Sequence, residues 1–246
     1  MKELIELISQ YDPSYPQNLR GVSSEELLEL EQLVGRPLPG RLKAFLRSMG
    51  KAPGNVLAPG CWPRAERIRH FYQGERRHRL SPRYIFIATS AQPQGREYFY
   101  DCGLLAEAED CPIVQARQGM GGAPGEAFAP AFPSLRDMLF WVAFQTKRME
   151  ALPFRVFLRP SDRNAGYGAA ETAAMILEDL EELMPRLGFR RLPSTSAQNP
   201  LFERGDAALA AHGSAAPQDL SVVLAAAQVR ERARLWDLIA NTTLLI

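Results

Sequence analysis

The chain has 246 residues, 46% of them hydrophobic and 23% charged, with a formal net charge of +1. This is an ordinary globular composition with length for one large or two modest domains, and the near-zero charge excludes a global pull toward nucleic acid or anionic membrane. Its three cysteines, Cys61, Cys102 and Cys111, are odd in number and lack framework spacing, which predicts reduced thiols in a cytoplasmic protein.

Residues 1–11 predict a helix with Leu4, Leu7 and Ile8 on one apolar face. Acids interrupt its stripe, so the segment reads as neither signal peptide nor membrane anchor. After a turn-rich connection through Pro13 and Pro16, the stretch from Ser23 to Gly50 predicts two helices joined by a tight turn. Ser23-Ser24-Glu25-Glu26 is a capping box, and Leu27, Leu30 and Val34 repeat at helical spacing behind it. Pro37 and Pro39 end that helix, with Pro39 expected as the first residue of the next. Leu42, Phe45, Leu46 and Met49 then fall at i, i+3, i+4 and i+7, with Gly50 expected to supply a left-handed cap.

The next charged stretch is polar in the electrostatic sense. Residues 61–83 hold seven arginines against Glu66 and Glu75, interleaved with Trp62, His70, Phe71, Tyr72 and His78. Residues 1–31 hold seven acids against Lys2 and Arg20, so the small net charge conceals opposed local patches. Tyr84–Ala88 is a short apolar run that reads as a buried strand, and Glu97–Asp101 reads as the returning strand of a hairpin. Ile113-Val114 gives a third short strand, and Gly119–Phe132 reads as a loose connection. Ser134 then caps a helix carrying Leu135, Met138, Leu139 and Val142.

An amphipathic helix, then Leu38-Pro39, then a short helix ending in Phe45-Leu46 and Gly50 resembles the opening signature of the SUKH superfamily. The hairpin ending at Tyr100-Asp101, the short strand, and a last helix announced by Phe132 and Ser134 follow in that family's order, covering residues 1–148. The resemblance implies helices packed on a small antiparallel sheet. It also implies a bacterial immunity protein that binds a cognate toxin, with the concave sheet side near Tyr84–Asp101 as contact surface. The arginine-rich segment before the first strand and the long connection at Gly119–Phe132 depart from the family pattern.

A hinge at Ala151-Leu152-Pro153 predicts two domains, 1–150 and 151–246. Phe154–Leu158 opens the second with a strand, and Ala173, Ile176, Leu177, Leu180, Leu183, Met184 and Leu187 trace a long amphipathic helix. Segments at Phe189–Leu192 and Leu201–Arg204 are candidate strands, Ala207–Ala211 is ambiguous, and Leu220–Leu224 is the clearest strand. A closing helix carries Ala233, Leu235, Trp236, Ile239 and Ala240. The fold class expected is α+β throughout, the second unit being a small βαβ(β)βα domain.

The candidate catalytic motifs each fail on context. Gly166-Tyr167-Gly168 leads into a helix, but Glu171 stands where a dinucleotide fingerprint needs its third glycine and would repel a pyrophosphate. Gly119-Met120-Gly121-Gly122 lacks a lysine at phosphate-loop spacing. Ser48 and Lys51 have S-x-x-K spacing across a helix end instead of at a helix start. The cysteines and histidines show no metal-ligand spacing. No enzyme, cofactor or metal is therefore expected. Arginines with aromatics are the residue types enriched at interface hot spots. The contact surface is accordingly assigned to Trp62, Arg67, Arg69, Phe71, Tyr72, Arg76 and Arg77, with Tyr98, Tyr100 and Asp101 on the hairpin.

The function expected is neutralisation of a protein toxin by occluding its active site, with no membrane partner. A regulatory scaffold is one alternative. A small-molecule or nucleic-acid-binding module centred on residues 64–83 or on the second domain is another.

Overall fold

The computed structural model describes residues 1–54, 63–90, 95–103, 109–119, 121, 127–161, 169–213 and 220–246. Cys61, Trp62, Gly122 and the glycine segment at 166–168 lie outside the described residues. The protein is α+β with antiparallel sheets, and the chain divides into two compact units, Met1–Leu139 and Phe140–Ile246. No helix among the described residues is long and apolar enough to cross a membrane.

In the first unit, α1 (Lys2–Tyr11) buries Leu4, Leu7 and Ile8. The two-residue strands β1 (Leu19–Arg20) and β2 (Ala52–Pro53) pair across the helical clip. That clip is α2 (Ser24–Val34) and α3 (Gly40–Met49). Ser23 Oγ accepts from the Glu26 amide at 3.2 Å while the Glu26 carboxylate accepts from the Ser23 amide at 2.8 Å, which closes the expected capping box. The left-handed cap, however, is Gly35 at φ +83°, which ends α2. Gly50 keeps a right-handed φ of −66° because the chain runs straight on into β2. Its glycine is required for space, since an added Cβ would lie 2.7 Å from the Leu46 carbonyl oxygen. Pro39 is the cap of α3, one position before its first helical residue.

Next come α4 (Ala65–Gln73), a 3₁₀ turn (Glu75–Arg79) and a four-stranded meander. Its strands are β3 (Tyr84–Thr89), β4 (Arg96–Asp101), β5 (Ile113–Arg117) and β6 (Ala129–Phe132), in that order. The connection expected to be loose thus ends in a strand. It carries Pro130, which an edge strand tolerates because one side of its backbone needs no ladder donor.

The helix α5 (Leu135–Phe144) starts in the first unit and continues in the second as a π turn (Gln145–Met149). Arg148 on that turn donates to the carbonyls of Gly205 at 3.0 Å and Ala207 at 3.3 Å, tying the turn to the second sheet. The division therefore precedes the junction expected near residue 150, and Ala151-Leu152-Pro153 lies inside the second unit.

The second unit orders its sheet β7-β11-β10-β9-β8. These strands are β7 (Phe154–Leu158), β8 (Arg190–Arg191), β9 (Leu201–Arg204), β10 (Ala207–His212) and β11 (Ser221–Ala226). Between β7 and β8 runs α6 (Ala169–Arg186), and α7 (Val229–Thr242) follows β11. Ile176, Leu180 and Met184 of α6 and Leu235 and Ile239 of α7 pack on Leu209, Val222 and Leu224. The ambiguous alanine run is the central strand, with Ala207–Ala211 fully buried, because short side chains let both sheet faces be covered closely. Trp236 of α7 is 38% exposed, while Leu235 and Ile239 are buried.

Candidate functional site

The arginine-rich segment becomes α4, and helical geometry sorts its residues. Ile68, Phe71 and Tyr72, at i, i+3 and i+4, face the core, while Arg64, Arg67 and His70 recur every third residue along another stripe. Phe71 stacks on Phe86 of β3 with ring centroids 4.3 Å apart and planes 4° apart, and Phe99 of β4 meets Phe86 edge-on at 5.6 Å. The hairpin register shifts between Phe86 and Ala88, leaving Ile87 as a bulge residue. There the Phe86 amide donates to Tyr72 Oη at 3.3 Å. Burial pushes the Tyr72 phenol up to about 12.

On this aromatic floor lies an open cleft of about 1110 Å³ between α4 and the ends of β3, β4 and β5. Its walls carry Arg64, Arg67, Arg69, His70 and Arg76, with Glu66 and Glu97 as the acids and Ser90 and Gln118 as neutral polar groups. Glu97 is 2% exposed and takes two hydrogen bonds from Arg76, at 2.8 and 2.5 Å, so its charge is matched within the wall. Arg76 also lies over the Phe71 ring at 5.0 Å. Arg69 approaches Glu29 at 3.9 Å, an exposed pair of small consequence. Arg64 and His70 are exposed, and their side chains have no hydrogen-bond or ion-pair partner among the described residues. The cleft wall therefore carries four arginines against the two carboxylates of Glu66 and Glu97, over a base of stacked rings.

The structure divides the residues assigned from sequence. Arg67, Arg69 and Arg76 line the cleft together, with Phe71 at its base. Arg77 lies on the other side of α4, where it and Tyr72 border a separate groove of about 820 Å³. Phe71 and Tyr72 are each 6% exposed and Tyr100 is fully buried. These three are core residues, which corrects their assignment as side chains that meet a partner. Strand alternation puts Tyr98 and Tyr100 on the opposite sheet face from Glu97 and Phe99. Tyr100 Oη donates to Asp110 at 2.9 Å, and burial beside that carboxylate holds its phenol far above the usual range. Asp101 sits at the far end of the hairpin in a two-bond pair with Arg83, both bonds 2.6 Å, which holds its carboxyl below the usual range. Trp62 is outside the described residues.

Sequence reasoning missed Ser90 and Gln118, which reach the cleft only because β3 and β5 end beside α4. Arg64 and His70 were legible as the outer stripe of an amphipathic helix set by Ile68, Phe71 and Tyr72. Comparison with protein-family models, curated proteins and solved structures found no match to the chain.

Proposed function

We propose that the protein is a non-enzymatic binding protein of the cytoplasm that neutralises a cognate bacterial toxin by covering its active site. The arginine-lined cleft of the first unit receives an acidic element of that toxin. The observation that carries this reading is the excess of arginine over carboxylate in the cleft wall, four against two, held over the interlocked rings of Phe71, Phe86 and Phe99. Such a surface needs little reorganisation on binding, and fixed guanidinium groups favour carboxylates through charge-assisted hydrogen bonds. The SUKH resemblance supports the toxin as partner, since helix, clip, hairpin, strand and capped helix occur in that family's order.

A nucleic-acid reading is disfavoured by burial. Unpaired bases bind by stacking on exposed aromatics, and Phe71 and Tyr72 have their faces inside the core. The test is to co-express the protein with each toxin candidate found encoded beside its gene and to follow with a pull-down from the same cells. Growth in the presence of the toxin and a recovered complex are expected. Toxicity undiminished by the protein, with no complex, rejects the proposal.

A further inference from the structure

We propose that Cys102 and Cys111 form a dithiol–disulfide couple, a covalent modification site that closes the connection between β4 and β5. The argument is one of register. The strands pair from Arg96↔Arg117 to Tyr100↔Ile113, and the Asp101 amide donates to the Pro112 carbonyl at 2.9 Å, which carries the ladder one step further. The next opposed pair is Cys102 and Cys111. Because Asp101 and Pro112 occupy the hydrogen-bonded position, the two cysteines fall at the non-hydrogen-bonded one. There Cα atoms approach to about 4.5 Å and side chains share a face. That separation lies within the span of roughly 4.4–6.8 Å that a disulfide bridges.

Both backbones are already pinned. The Cys102 amide donates to the Arg83 carbonyl at 2.9 Å, and the Cys111 amide donates to Asp110 Oδ1 at 3.0 Å. Each residue is 1% exposed and carries a free thiol. Exchange ends in the same bond whichever sulfur attacks first, Cys102 in the route that follows.

A low-molecular-weight disulfide balances the chemistry. The Cys102 thiolate attacks one of its sulfurs, the external S–S bond breaks, and one thiolate leaves and takes up a proton. Cys111 then gives up its proton and attacks the Cys102 sulfur of the mixed disulfide, expelling the second thiol. The protein loses two electrons and two protons, and the external disulfide becomes two thiols. The bond would clamp a node of the first unit. Asp110, next to Cys111, accepts from Tyr100 Oη and from the Leu135 and Arg136 amides at the start of α5, and it faces Arg41 at 3.6 Å.

The experiment uses the full chain carrying Cys61→Ser, so that only these two cysteines remain. It is equilibrated in mixtures of reduced and oxidised glutathione, quenched with acid, and read by intact mass, peptide mapping and thermal unfolding. The expected product is two hydrogens lighter, joins the two cysteine peptides, carries no glutathione, and reverts with dithiothreitol. Its unfolding midpoint should rise by roughly 5 °C. Adding Cys111→Ser should leave glutathione attached to Cys102. Because both thiols are buried, a parallel sample is opened in urea and returned to native buffer in the same mixture. If the native protein then holds two free thiols or stable glutathione adducts, the strands do not present the pair and the proposal is overturned.

Discussion

Arg76 and Glu97 form a two-bond ion pair at the wall of the cleft, and the carboxylate is 2% exposed while the guanidinium is open on one side. Glu97 is thus a buried charge matched by Arg76 alone among the described residues, and Arg76 is shaped into the wall by that bond and by the Phe71 ring beneath it. Replacing Arg76 with alanine would strand the carboxylate. A loss of about 3 kcal/mol is expected from urea unfolding, since removing one partner of a buried pair leaves an uncompensated charge. The double change Arg76→Met/Glu97→Gln should recover much of it. An Arg76→Ala midpoint equal to wild type would show that water reaches Glu97.

Phe45 is fully buried at the centre of α3, among Leu42, Leu46 and Met49. Phe45→Ala should cost about 3–5 kcal/mol by transfer and cavity terms, seen as a lower melting temperature. A melt near wild type would mean that the neighbouring helices close the void.

The second unit should carry an acid-sensitive contribution. Glu231 accepts from Arg234 at 2.7 Å and from Arg204 at 2.5 Å, and these guanidinium groups pull its carboxyl from 4.5 down to about 2. Asp206 is lowered by the same Arg204. A carboxyl with a depressed folded value binds its proton more readily in the unfolded chain. Its stabilisation is complete above about pH 5 and disappears as the pH falls toward 2. Glu231→Gln should therefore lower stability at neutral pH and flatten the acid limb of the stability profile. Parallel profiles for the two proteins would argue that solvent screens the cluster.

Much of the fold was legible because local signals agreed with the packing. The Ser23–Glu26 capping box and the apolar spacing from Leu42 to Met49 name their own buried faces. The β10 strand was not legible, because alanines carry little strand preference and Ala207–Ala211 is a strand only through neighbours on both sides. At the candidate site the arginines were visible in composition, but reading their aromatic neighbours as surface overlooked the helix period. Ile68, Phe71 and Tyr72 share one face of α4, so the same spacing that exposes Arg64 and His70 buries the rings. Glu97 gives no sign in sequence of being buried, since its partner Arg76 lies in a different element.

The central claim is that the cleft of α4 holds an acidic element of a toxin, and the most direct measurement is the affinity of the purified pair. The double reversal Arg64→Glu/Arg67→Glu alters the cleft wall. Arg186→Glu on α6 serves as the control, its side chain being 75% exposed in the second unit. The account predicts that the cleft variant binds at least about tenfold more weakly, mostly through slower association, and that its binding depends less on salt. The control should bind as wild type does. Equal affinity and equal salt dependence for wild type and the cleft variant would contradict the account.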